Sequence, residues 1–170
     1  LLQRRTANGF TGWVSYAYAV TRQHDGVLRQ WFASNWDQRH TFNLTGRYDQ
    51  PDIMSLSVIL RASSGQPYTP TVSTGGFGNG LETNSGRKPS GVTMDLRAEK
   101  QLRFSGFDVS AFGRVLNVFD AKYFNGGVFA STGSPYYSRF PGPDAGSLSD
   151  PTRLFAPRRI EVGFTFNRGS

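Results

Sequence analysis

A chain of 170 residues in which only 37% are apolar, while Gly (20) and Pro (9) are plentiful, has material for one domain and leans towards strands and loops. Its formal charge of +7 raises nucleic acid as a partner, but the arginines are spread singly over separate stretches and form no basic cluster, so nucleic acid is set aside. The absence of cysteine excludes a disulfide framework and a thiolate metal site, and no run approaches the ~20 apolar residues of a transmembrane helix.

In chain order, residues 1–9 are polar and close on Asn8-Gly9, a turn signal. No signal peptide opens the chain, so an export signal is expected outside it. From Phe10 to Thr21 the residues alternate, with Phe10, Val14, Tyr16, Tyr18 and Val20 on one face and mostly small side chains on the other, which predicts a strand. Residues 22–37 lose that alternation and read as a long loop holding Trp31 and Trp36. A second strand is predicted over Gln38–Asp49: His40, Phe42, Leu44 and Tyr48 share one face, and Arg39, Thr41, Asn43, Arg47 and Asp49 the other. Gln50-Pro51-Asp52 makes a tight turn. The third strand, Ile53–Ala62, sets Met54, Leu56, Val58 and Leu60 against Ser55, Ser57 and Arg61.

Residues 63–91 carry too many glycines and prolines for a continuous element. A fourth strand, Val92–Arg103, puts Val92, Met94, Leu96 and Leu102 opposite Asp95, Arg97 and Glu99, with Lys100 as the one cation on the apolar face. Phe104-Ser105-Gly106 turns the chain into a fifth strand, where Phe107, Val109, Ala111 and Val115 oppose Asp108, Ser110, Phe112 and Arg114. After Tyr123 the chain wanders again. A last strand begins near Pro157, with Ile160, Val162, Phe164 and Phe166 facing away from Arg159, Glu161 and Thr165; Arg168-Gly169-Ser170 reads as a tail beyond a domain of residues 1–167.

The predicted fold is therefore all-β, an antiparallel meander of about six long strands. Its connections alternate long (22–37), short (50–52), long (63–91), short (104–106) and long (about 120–156). Outer-membrane barrels have short periplasmic turns and longer extracellular loops, and strands of about 10 residues cross a bilayer when tilted. In hydrocarbon every backbone N–H and C=O must be paired within the protein, which a closed sheet achieves. The apolar faces are then expected to meet lipid, with Phe10, Tyr18, Tyr48, Phe104, Phe107, Phe164 and Phe166 at the headgroup levels. The charges Arg39, Arg47, Arg61, Asp95, Arg97, Glu99, Asp108, Arg114, Arg159 and Glu161 are expected to face the lumen; Asp95, Arg97, Glu99, Asp108, Arg114, Arg159 and Glu161 could mark a substrate path, but cross-strand ion pairs that touch a plug are the expected reading. About six strands leave two bare edges, so the chain is expected to be a C-terminal segment of a larger barrel, with its C-terminus periplasmic.

Several motifs carry a family resemblance. The run Arg114-Val115-Leu116-Asn117-Val118-Phe119-Asp120-Ala121-Lys122-Tyr123 resembles the "V-x-N-L-F-D-x-x-Y" stretch of TonB-dependent outer-membrane receptors. Trp36-Asp37-Gln38-Arg39-His40 is similar to their "D-Q-R-H" strand start, Ser64-Gly65-Gln66-Pro67-Tyr68-Thr69 to their "S-G-x-P-Y-T" loop, and Pro157–Phe166 to their closing "P-R-x-[IV]-x-x-G-[FL]-x-F" strand. The four stand in the family's order and cover most of the chain. The resemblance implies a barrel of about 22 strands around a plug domain. It implies import of iron chelates, cobalamin, glycans or peptides with energy from the TonB complex, which acts through the plug. This chain has neither plug nor TonB box and corresponds to about a quarter of such a barrel. Its partners are then outer-membrane lipid, the remainder of the barrel, the plug and an unidentified small-molecule or peptide ligand.

Trp31, Trp36, Tyr136, Tyr137 and Phe140 lie in the long loops, where such receptors meet ligand, although loop aromatics also serve merely to pack loops together. His40 beside Asp37 invites an acid–base or metal reading, but no carboxylate cluster accompanies it and a membrane-interface histidine is expected. Glycines 75, 76, 78 and 80 do not sit between a strand and a helix, so no phosphate cradle is expected. No catalytic constellation, cofactor or metal site is expected. Two alternatives stand beside the receptor: a complete small outer-membrane barrel of about eight strands, with extra strands in 1–9 and 123–131, and a soluble carbohydrate-binding β-sandwich.

Overall fold

The structure, a computed structural model, describes residues 2–7, 9–51, 53–71, 83–104, 107–148 and 150–168. Among the described residues eleven strands follow in order: β1 (Leu2–Ala7), β2 (Phe10–Tyr18), β3 (Arg22–Asp25), β4 (Gln30–Ala33), β5 (His40–Gln50), β6 (Met54–Ser63), β7 (Pro67–Tyr68), β8 (Gly86–Arg87), β9 (Gly91–Phe104), β10 (Phe107–Leu116) and β11 (Arg159–Arg168). One helical turn, α1 (Ala145–Leu148), and a 3-10 turn at Pro151–Arg153 interrupt the last long connection.

Seven strands form one antiparallel sheet in the order β1-β2-β5-β6-β9-β10-β11. Neighbours in the sheet follow one another along the main path of the chain, and no strand crosses over. β1 and β11 are the two edges, and no pairing between them closes the sheet among the described residues. The polar stretch at the N-terminus, expected to be only a lead-in, is thus a seventh strand: Gly9 turns it back onto β2 at φ +76°, where a Cβ would lie 2.3 Å from the Asp49 carbonyl oxygen. Only glycine fits there. Residues 123–131 form no strand, so the extra pair of strands needed for an eight-stranded ring is only half present. Arg168, expected in a tail, pairs with Phe107 and belongs to β11.

The register brings one kind of residue to each face. Across the sheet Tyr16 pairs with Phe42, Phe42 with Ala62 and Ala62 with Val92, while Arg47 pairs with Ser57, Ser57 with Arg97, and Arg97 with Arg114. Alternation within each strand and in-register pairing between strands therefore add up to one apolar and one polar surface. The apolar surface is not covered. Leu56, Val92, Leu96, Phe104, Phe107, Ile160, Val162, Phe164 and Phe166 are all exposed, Val162 by 77% and Phe166 by 73%. The only buried hydrophobic residues among those described are Val109, Tyr123 and Phe129. The two remaining sheets, β3–β4 and β7–β8, are two-stranded and lie inside the long connections; among the described residues no second layer of the kind a sandwich requires packs on the face.

The short β1–β2, β5–β6 and β9–β10 connections all leave one end of the strands, and the long β2–β5, β6–β9 and β10–β11 connections all leave the other. Main-sheet strands from β5 onward have 10 to 14 residues, and β2 has 9. Such lengths exceed the ~5–6 usual in soluble sheets and suit a tilted crossing of a hydrocarbon layer. Aromatic rings gather at both ends of the apolar face: Phe10 pairs with Tyr48, and Phe104 stacks on Phe107 at 4.9 Å near the turns, while Tyr16, Tyr18 and His40 cluster near the loops.

Candidate functional site

Two regions gather the residues singled out by the sequence. On the polar face the charges stand in pairs. Arg47 meets Asp49 at 2.8 Å, Arg97 meets Glu99 at 3.0 Å and Arg159 meets Glu161 at 2.6 Å, each pair two residues apart on one strand. Arg61–Asp95 at 3.6 Å and Arg114–Glu161 are the cross-strand pairs. Cross-strand pairing, as expected, joins Arg61 to Asp95 and Arg114 to Glu161, while the other three pairs form within one strand because i,i+2 neighbours share a face. Hydroxyls complete the network, with Ser55 donating to Asp49 at 2.6 Å and Ser110 to Glu99 at 2.7 Å. Phe112 lies over Gly163, where a Cβ would come within 2.6 Å of the ring, and the Arg97 guanidinium sits over its plane at 4.4 Å. Asp108 stands in register between Arg103 and Asn167. Arg39 is the exception; it precedes β5 and turns into the loops.

The second region is the loop end, where the three long connections are tied into one body. Asp37 is its centre. This carboxylate has no exposure to solvent, yet it accepts from the Thr21 N–H at 2.8 Å, from Arg39 Nε at 2.9 Å and from the Arg87 guanidinium. Burial alone would push the carboxyl up, but the Thr21 N–H and the two guanidiniums outweigh it and hold it down at about 2. Arg87 lies on β8, so this bond joins the first long connection to the second. Asn84 makes the same junction, donating to the Ala33 carbonyl at 2.8 Å and to Asn35 Oδ1 at 2.7 Å. Asn125 and Gly126 bring in the third connection through Gln38, Ser63 and Lys88, and Thr71 N donates to the Ala130 carbonyl at 2.9 Å.

The Asn117–Tyr123 motif explains how the third connection leaves β10. Asn117, buried and at φ +51°, donates to the Ala121 and Ala156 carbonyls, accepts from Ala121 N at 2.9 Å, and gives its own N–H to Asp95 at 2.8 Å. Asp120 then accepts from Lys122 Nζ at 2.7 Å and from Arg158 N at 3.0 Å, and these two partners hold its carboxyl below the usual range. Tyr123 and Phe129 are buried beneath, with the Arg153 guanidinium 3.7 Å over the Phe129 ring. Sequence reasoning missed these asparagines as a set. Asn84, Asn117 and Asn125 share a positive φ, and asparagine within Gly- and Pro-rich connections is the signal that marks such positions.

The loop aromatics reach the same end of the molecule without forming one cluster. Trp31 is 66% exposed on β4 and packs on His24 at 5.0 Å; Trp36 is 77% exposed; Tyr136 and Tyr137 are exposed and Phe140 half-buried on the third connection. No ring contact joins the tryptophans to the tyrosines or Phe140 among the described residues. The loop expected over 22–37 is in part the β3–β4 hairpin, closed by Asp25, which accepts from the N–H groups of Val27 and Leu28. His40 and Asp37 are not brought together: His40 Nδ1 shares a hydrogen with the Tyr16 hydroxyl at 2.7 Å on the apolar face, and Asp37 is held by arginines. No group of three or more metal-binding side chains occurs among the described residues. Glycines 75, 76, 78 and 80 lie outside the described residues.

No family model, curated protein or solved structure matches this chain.

Proposed function

We propose that this sheet is part of the wall of an outer-membrane β-barrel, and that the barrel is a TonB-dependent receptor taking up a ligand such as an iron chelate, cobalamin, a glycan or a peptide. The observation that carries the reading is the pairing of an uncovered apolar face with tight turns at one edge and interlocked long connections at the other. In that reading the apolar face meets lipid, the charge pairs line the lumen, and the tied loops with Trp31, Trp36, Tyr136, Tyr137 and Phe140 face outward to ligand. β11 runs from the loop end of the sheet to the turn end, so in the same reading its C-terminus is periplasmic. The motif run from Arg114 to Tyr123 is what narrows a barrel to this receptor family, and further strands and a plug from other segments complete it.

These 170 residues contain no cysteine, so a single cysteine introduced among them reports the orientation of this segment. Tyr137→Cys is labelled by a membrane-impermeant maleimide on intact cells, whereas Ile53→Cys is labelled only after the outer membrane is permeabilised. Equal labelling of both on intact cells, or recovery of the protein in the soluble fraction, sinks the proposal. The uptake function is tested by deleting the gene and growing cells on iron chelates, cobalamin, glycans and peptides. A growth defect on one of these that is matched by loss of the TonB complex supports a receptor; a defect independent of that complex contradicts it.

A further inference from the structure

We propose that a groove at the loop edge of the apolar face seats one acyl chain of an outer-leaflet lipid, with His40 and Arg39 at its mouth meeting that lipid's phosphate. The inference rests on the membrane reading above and adds to it a specific site. The groove has a volume of about 290 Å3 and lies between His40 and Phe42 on β5 and Val92 on β9, with Ala62, Ser64 and Ser90 along its bottom. That volume is at the lower bound of ~300 Å3 for ligand clefts, enough for part of a chain and not for a whole lipid.

The register explains why a dip forms here. Phe42 pairs with Ala62 and Ala62 with Val92, so a short side chain stands between two larger ones across two interstrand spacings of ~4.8 Å. One step nearer the loops, the Ser64 hydroxyl accepts the His40 N–H at 3.0 Å and Ser64 N donates to the His40 carbonyl at 2.9 Å, so a second short side chain continues the dip to the rim.

The mouth has the complementary chemistry. Tyr16 and Tyr18 pack against the His40 ring at 6.1 and 5.2 Å, and the Tyr16 hydroxyl engages Nδ1, while Nε2 has no protein partner among the described residues. Arg39 lies beside the Tyr18 hydroxyl with its side chain one third exposed. Its partner Asp37 is shared with Arg87, so two guanidiniums face one carboxylate and the corner carries net positive charge. Polarity thus runs along the strands from an apolar floor to a cationic, aromatic rim. A phospholipid has the same order from tail to headgroup, whereas a peptide strand or a soluble anion has no such gradient.

The test uses full-length protein in vesicles of phosphatidylethanolamine and phosphatidylglycerol. Flotation is measured first; lipids retained after detergent extraction are then counted by native mass spectrometry. Wild type is expected to retain one phosphatidylglycerol in preference to phosphatidylethanolamine. Ala62→Phe, which fills the groove from its middle, is expected to lose the retained lipid of either kind. Ser90→Phe fills it from the other bank and serves if Ala62→Phe fails to fold. His40→Gln keeps the lipid and loses the preference. Equal retention by wild type and the filled variants overturns the acyl seat, as does displacement of the lipid by sn-glycerol 3-phosphate, which has the phosphate without the tail. Floating protein with equal retention removes this site alone; protein that does not float removes the barrel reading together with it.

Discussion

Asp37 exchanges all of its hydration for one backbone N–H and two guanidiniums, and that exchange makes it the most consequential single residue of the loops. Asp37→Asn keeps the size but removes the charge that both arginines bind. The cost is expected to be about 1.5–3 kcal/mol, the range for hydrogen bonds to charged groups. It is read as faster proteolytic nicking of the long connections while the strands stay folded. The pH dependence has a definite sign. The folded carboxyl is held at about 2, below the ordinary 3.8, so its stabilisation is complete above about 3.8 and is lost as pH falls through about 2. Pepsin should therefore spare the loops at pH 4 and cut them progressively as the pH approaches 2; cleavage that does not change over this window contradicts the role. Asn117 is legible as a motif letter, but its work is not. Its four hydrogen bonds reach Asp95, Ala121 and Ala156, partners far apart in the chain that only the fold assembles.

The long strands were readable because their alternation is a local property: each residue's face follows from its parity, and β5, β6, β9 and β10 begin and end within a few residues of where the pattern places them. The short strands were not. β1 has no clear alternation and owes its place to pairing with β2, and β3 and β4 are set by a turn that Asp25 caps. The two faces of one strand differ in the cost of a buried cation. Val58 and Ile59 are adjacent on β6, Val58 on the apolar face and Ile59 beside Asp95 on the polar one. Val58→Arg is expected to cost about 2–4 kcal/mol in vesicles, as for a cation at mid-membrane depth, while Ile59→Arg costs little. Met54→Arg, on the same apolar face near the turns, should fall between them. Urea unfolding of the reconstituted protein measures all three, and equal costs at Val58 and Met54 contradict a lipid-facing gradient.

Seven strands in an antiparallel meander leave both edges, β1 and β11, running in the same direction. Pairing them directly would require a parallel contact, so completing an all-antiparallel barrel takes an odd number of additional strands from elsewhere. Hydrogen exchange on the assembled protein checks this: the outward amides of β11 should be as protected as those of β9, and rapid exchange along β11 alone would show that the sheet ends there. The sequence by itself determined the all-β class, the two faces and the long–short rhythm of the connections, because these depend on residue parity and on local turn chemistry. Only the tertiary structure decided that β1 joins the sheet, that charges two apart on a strand pair with each other, and that Asp37, Asn84, Asn117 and Asn125 bind the loops into one body. The physical reason is distance along the chain: contacts such as Arg87 to Asp37 or Gln38 to Asn125 join residues 50 and 87 positions apart, and no local pattern encodes which partners a fold will bring within hydrogen-bond reach.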